Sequence, residues 1–250
     1  MASSPVTAAV LIVGNEILSG RTQDVNLAFL GQRLGALGIR LLEARVVPDI
    51  EAEIVEAVNA LRHRYSYVFT TGGIGPTHDD ITSECVAKAF GLPLIVNEEA
   101  RRRLSARYRN PADLNAARLR MATMPEGAAL IDNPISAAPG YRIGNVHVMA
   151  GVPEIMRAMF DGVAPALAGG PPLLSRSIET DLLEGYVAAP LGDLQKDFPA
   201  IDIGSYPFNR QGRFGCRLVL RGTDAEALAA CAARLEALVK RLGGQGKWEV

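Results

Sequence analysis

Apolar runs and helical stripes alternate along the first two thirds of the chain. AAVLIVG (8–14) is an unbroken apolar run, the pattern of a strand buried on both faces of a parallel sheet. Leu27, Leu30, Leu34 and Leu37 follow at helical spacing, and Gly38 is placed to end that helix. IRLLEARVV (39–47) reads as a second strand, and Pro48 and Asp49 open a helix striped by Ile50, Ile54, Val58 and Leu61. SYVF (66–69) is a third strand, a glycine-rich turn follows, and TSECVAKAF (82–90) reads as the next helix. Strand and helix in strict alternation imply right-handed crossovers and a mostly parallel sheet.

Farther on, LPLIV (92–96) suits a short edge strand, and Asn97 caps a helix with Glu98 and Glu99 in its first turn. Asn110 and Pro111 open another helix, short strands flank SAAPG, NVHVMAG (145–151) is a strand, and Pro153 opens a helix striped by Ile155, Met159, Val163 and Leu167. AGGPP (168–172) is a linker. Beyond it the pattern is strand, helix, strand, strand, helix, with Thr223 and Glu226 fitting a capping box for the last helix. The expected architecture is a three-layer α/β/α domain over 1–170 and a small α+β lobe over 171–250.

Composition narrows the function. The 250 residues are 48% hydrophobic and 21% charged with a net charge of −1, so no general field holds nucleic acid or an anionic membrane. Cys85, Cys216 and Cys231 are far apart and read as reduced, buried thiols. With no basic n-region before a short apolar run, the expected location is cytoplasmic. P-loop, dinucleotide, nucleophile-elbow and zincin signatures are missing.

The chemistry concentrates in TTGGIGPTHDDIT, Thr70 to Thr82. Thr71, Gly72, Gly73 and Gly75 sit at a strand-to-helix turn, where glycine permits positive φ and close approach of a ligand. Pro76 stiffens the turn, and Thr77, His78, Asp79, Asp80 and Thr82 bring polar groups to a helix start, an anion site. Two adjacent carboxylates would repel a phosphate there unless a divalent cation bridged them, so Asp79 and Asp80 are metal candidates for Mg²⁺, Mn²⁺ or Co²⁺. GNEILSGRTQDVN follows the first strand and offers Gly14, Asn15, Glu16, Asp24 and Asn26, with Glu16 or Asp24 suited to position a water. Ser136, Pro139 and Gly140 of SAAPG and Gly151 and Pro153 of AGVPE complete the ligand-binding set. His147 lies mid-strand and reads as a satisfied sheet histidine, and the Arg-rich stretch 100–109 as a solvated helix face.

These four motifs, in this order and spacing, resemble the molybdopterin-binding-like domain of competence/damage-inducible protein A (CinA) and the equivalent module of eukaryotic FAD synthases. MogA and MoaB, the molybdenum-cofactor proteins, are similar at the glycine loop. IGSYPFNRQGRFGCRLVLRGTD (203–224) looks like the smaller lobe that follows this domain in those proteins. His78 stands where many members carry a lysine. The resemblance implies a molybdopterin-binding-like fold and metal-dependent cleavage of nucleotide pyrophosphates such as ADP-ribose or FAD. Its alternatives are a non-catalytic pterin- or nucleotide-binding module, with molybdopterin itself as a ligand, or molybdopterin adenylylation. It also implies a homo-oligomer, a dimer or trimer, and the strands RFGCRLVLR and IDIGSYP, suited to pairing across a two-fold axis, favour the dimer.

Overall fold

The structure is a computed structural model that describes residues 5–107 and 114–249. It divides into two compact units, 1–170 and 171–250.

The first unit has a six-stranded sheet. Thr7–Val13 (β1), Arg40–Val47 (β2), Tyr67–Thr71 (β3) and Val146–Met149 (β8) run parallel, with Ala129–Ile131 (β6) and Gly140–Ile143 (β7) completing it antiparallel. The order is β2-β1-β3-β8-β7-β6, so the chain reverses direction across the sheet between β1 and β3. Alternation along β1 sorts the two cores. Ala9, Leu11 and Val13 join Ile54, Val58, Leu61, Cys85 and Val86 on one face, from helices Glu51–Arg64 (α3) and Thr82–Phe90 (α4). Ala8, Val10 and Ile12 join Leu30, Leu34, Met156, Met159 and Phe160 on the other, from Asn26–Ala36 (α2) and Pro153–Val163 (α7). The short helix Asn15–Leu18 (α1) follows β1.

Local chemistry departs from the sequence pattern in several places. Leu94–Val96 (β4) does not join the main sheet; it pairs with Thr123–Pro125 (β5) as a separate ribbon. Asn97 does cap Glu98–Arg107 (α5), accepting from Ala100 N at 3.0 Å. The expected cap at Asn110 and Pro111 lies outside the described residues. The helix beyond starts at Ala116 (Ala116–Leu119, α6), where Asn115 accepts from Arg118 N. Ile50 is 54% exposed, because the helix begins one residue later and the residue precedes the buried face. The arginines of α5 pair with acids: Arg101 with Glu98, Arg102 with Glu99, and Arg103 with Glu99 and Asp132.

The second unit has Leu174–Thr180 (β9), Glu184–Asp197 (α8), Asp202–Arg210 (β10), Arg213–Gly222 (β11), Ala225–Arg241 (α9) and Gly246–Trp248 (β12). Its antiparallel sheet, β10-β11-β9-β12, carries its own core of Ile178, Val187, Leu218, Leu220, Cys231 and Leu235. The last strand went unread because a three-residue run has no period to detect. The cap of α9 is Asp224, not Thr223: its Oδ1 accepts from both Glu226 N and Ala227 N. The three cysteines are free and buried, and burial pushes the Cys85 thiol up to about 12.

His147 is buried on β8, its ring stacked 5.0 Å from Phe69, but Nδ1 has no partner. It is therefore not a satisfied histidine. Desolvation first, and Arg142 second, push its pKa down to about 4. The unfolded chain takes up this proton near pH 6.5 and the folded protein only near 4. The stability it contributes is complete above pH 6.5 and is lost as pH falls towards 4, about 3 kcal/mol in all. Urea denaturation at pH 7 and pH 4.5 checks this, and His147→Phe should flatten the difference over that window.

Candidate active site

Parallel β1, β3 and β8 deliver their carboxyl ends to one edge, and the segment between β6 and β7 returns there. This is the edge, at the reversal of strand order, where open α/β sheets hold ligands. A cleft of about 460 Å³ opens on it, within the range of small-molecule sites. Its walls include Glu16 and Thr22 after β1, Gly72, Gly73, Gly75 and Asp80 after β3, Asn133 and Ser136 before β7, and Gly151 and Pro153 after β8.

The glycine loop is locked by backbone proximity. Gly72 has φ +101°, and a Cβ there would lie 2.2 Å from Val13 O; Gly73 has φ +67°, and its Cβ would lie 2.1 Å from Thr82 Oγ1. Gly151 is packed so closely that its own Cβ would come 3.2 Å from Gly72 Cα. These glycines let three loops meet, as the motif suggests.

Several of the expected site residues turn out to brace the loops. Thr82 is buried and donates to Gly72 O at 3.0 Å, while Thr71 is buried in β3. Asn26 is buried and its Nδ2 donates to Gly151 O at 2.8 Å, tying α2 to the loop after β8. Asp24 Oδ1 accepts from Leu27 N and so fixes the start of α2, away from the cleft wall. Asn15 N donates to Asp49 Oδ2, a partner the sequence did not signal, and Gly14 N to Val47 O. Gly140 is a packing glycine in β7, where a Cβ would meet Val148 O at 2.4 Å. Pro139 is buried and faces a smaller side pocket.

The tip of the loop is exposed. Pro76, Thr77, His78 and Asp79 face solvent, with the His78 side chain 96% exposed and 3.9 Å from Asp79 Oδ1. Asp80 Oδ2 accepts from Thr77 N at 2.8 Å and from the Thr77 hydroxyl. The same hydroxyl, then the residue's own amide, holds the Asp79 carboxyl below the usual carboxylate range. Neither Asp caps α4, whose N-cap is Ile81 without a side-chain bond. Asp80 instead folds back on Thr77, and the Asp79 carboxyl stands at the exposed tip.

Sequence reasoning missed Arg120, whose Nη2 donates to Asp80 O at 3.1 Å and to Glu84 Oε1 at 3.4 Å. It missed Asn133 too, whose side chain bonds Ser136 N, Ser136 Oγ and Ala138 O and so shapes the segment before β7. An Asn-Pro pair after a short strand was the available signal. The apolar lining of Ile74, Met121, Val152 and Ile155 carried no polar signature.

A family model described as a probable molybdopterin binding domain matches residues 9–169. The chain belongs to the molybdopterin-binding domain family. A second model, the FAD synthase middle domain, matches 172–242. This molybdopterin-binding domain resembles the structure of the protein CinA from Thermoplasma acidophilum at a TM-score of 0.62 and 37% identity, covering 65% of this chain and 99% of that one. A protein of Pyrobaculum aerophilum is 35% identical over 94% of this chain and 90% of its own length. The probable FAD synthase of Caenorhabditis elegans is 31% identical over 93% of this chain, which spans 50% of that relative. The chain thus joins a CinA-like molybdopterin-binding domain to a lobe like the FAD synthase middle domain. No described helix is long and apolar enough to cross a membrane.

Proposed function

We propose that the cleft hydrolyses the pyrophosphate bond of a nucleotide such as ADP-ribose or FAD, giving two monophosphates, in the presence of a divalent cation. The observation that carries this is the glycine loop at the carboxyl edge of β3, with Asp80 and Glu16 both lining the same cleft and Asp79 next to it on the exposed tip. Among the described residues no three His, Cys, Asp or Glu cluster as metal ligands. Two carboxylates still fit a hard cation of the Mg²⁺ kind, whose remaining ligands are substrate phosphates and water. Asp79 and Asp80 would hold it, and once bound it supplies charge neutralisation and polarisation of the phosphoryl group.

The rest falls to the chain's own groups. Amides of the glycine loop, close to the ligand because no Cβ intervenes, receive phosphate oxygens. Glu16 accepts a proton from the water whose oxygen attacks phosphorus, and the bond from that phosphorus to the bridging oxygen breaks, its electron pair leaving with the second monophosphate. Ser136 and the apolar wall of Met121 and Ile155 orient the remainder of the nucleotide.

A panel of dinucleotides incubated with Mg²⁺, Mn²⁺ or Co²⁺ and separated by chromatography tests the proposal. Monophosphate pairs released with at least one cation are the expected result. The competing reading is a nucleotide- or pterin-binding module without turnover, which the exposed position of Asp79 outside the cleft lining favours. Binding with no monophosphate under any cation would establish that module instead.

A further inference from the structure

Two glycines of the site meet carboxylates where Gly72 and Gly73 meet Val13 O and Thr82 Oγ1. A Cβ on Gly75 would lie 2.6 Å from Asp80 Oδ2 and 3.0 Å from both Asp80 Cγ and Asp80 Oδ1. A Cβ on Gly14 would lie 2.6 Å from each carboxylate oxygen of Glu16. Asp80 and Glu16 both line the cleft. Each carboxylate thus occupies the space that a side chain on its glycine would fill.

Gly75 is the more telling of the two. Gly72 and Gly73 have positive φ, but Gly75 does not, so its backbone suits any L residue. What requires glycine there is the Asp80 carboxylate, which supplies all three of the atoms nearest to the added Cβ. The main chain of Asp80 is held in place. Its carbonyl accepts from Arg120 Nη2 at 3.1 Å, and its amide donates to Thr77 O at 3.3 Å. Its Oδ2 accepts from Thr77 N at 2.8 Å, while its Oδ1 makes no hydrogen bond among the described residues. A methyl group at 75 would therefore turn the carboxylate about its own side-chain bonds and take Oδ2 off Thr77 N.

We propose that Gly75 is a positioning residue that seats the Asp80 carboxylate, with Oδ2 fixed on Thr77 and Oδ1 left for the cation. The proposal rests on the cation reading given under the proposed function and adds the main-chain position that aims one of its two carboxylates. The glycines of the loop then divide their work. Gly72 and Gly73 serve the fold, and Gly75 serves a side chain five residues on. Removing the space at 75 disturbs the aim of Asp80 and leaves the strand, the helix and the backbone lock as they were.

Titration of the full chain with Mn²⁺ alone is the test, followed by the paramagnetic resonance signal of the free ion and read beside the melting temperature. Gly75→Ala should bind Mn²⁺ about tenfold to a hundredfold more weakly, the usual cost of disturbing a group that orients a metal ligand. It should melt near the wild-type temperature. Gly162→Ala is the control: a Cβ there meets nothing within 4 Å, and Mn²⁺ affinity should stay at the wild-type value. In an Asp80→Ala background the carboxylate is gone, so adding Gly75→Ala should lower the affinity no further. An equal fall in both backgrounds overturns the proposal, because Gly75 then acts on something other than Asp80. Wild-type affinity in Gly75→Ala overturns it as well, and both results leave the cation reading standing. A fall of several degrees in the melting temperature of Gly75→Ala also overturns it, making Gly75 a glycine of the fold. If the wild type itself binds no Mn²⁺, the cation reading fails and the role of Gly75 with it.

Discussion

Gly72→Ala will cost about 3 kcal/mol or more and leave the cleft unable to bind nucleotide. The expectation combines two terms. Holding an alanine at φ +101° strains the backbone by about 1–3 kcal/mol. The added Cβ would also stand 2.2 Å from Val13 O, a backbone atom of a buried strand that has no room to retreat, and such overpacking costs a further 1–3 kcal/mol or so. Gly91 supplies the control: it is left-handed at φ +64°, but a Cβ there meets nothing within 4 Å. Gly91→Ala should then cost about 1 kcal/mol, the conformational term alone. Urea denaturation of the two variants separates strain from collision, and equal losses would show that the contact with Val13 is unimportant.

Asp80→Asn and Asp79→Asn should each lower metal-dependent turnover by about a hundredfold or more, with different side effects. Asp79 is at the exposed tip, so its substitution should leave the melting temperature where it was. Asp80 also accepts from Thr77 N and the Thr77 hydroxyl, so its amide replacement keeps one acceptor but loses charge-assisted bonds that hold the tip. Asp80→Asn should therefore weaken substrate binding as well as turnover. Rate measurements at saturating cation, with KM and kcat resolved, distinguish the two. Both variants retaining full activity would remove the pair from the mechanism.

Most of the fold could be read from periodicity because the first unit obeys it. The run 8–14 became a strand buried on both faces, and Leu30 and Leu34 became core. Where reading failed, a neighbour decided the matter. The segment 94–96 is the short edge strand expected, but its partner was not legible: only β5, nearly thirty residues later, determines that it pairs outside the main sheet. Asp224 competed with Thr223 for the last cap, and a carboxylate one residue closer to the helix took both amides. At the site the glycines could be read because their reason is local. The division of Thr82, Asn26 and Asp24 into braces could not, because each is assigned by contacts with another loop or the following turn. Arg120 gave no signal either: it reaches Asp80 from 40 positions away.

The contrast between the base of the cleft and its rim has an evolutionary consequence. The base is a lock of main-chain atoms, Gly72 against Val13, Gly151 against Gly72, and Thr82 bonded back to the loop. Its shape is thus in place before any ligand arrives, and binding pays little ordering entropy there. The rim, from Pro76 to Asp79, is side chains in water. Substitutions on the rim can retune which ligand is accepted without touching the fold, whereas positions 72 and 73 have no room for a Cβ. Drift among descendants of this chain should accordingly be quick at position 78 and nearly frozen at 72 and 73.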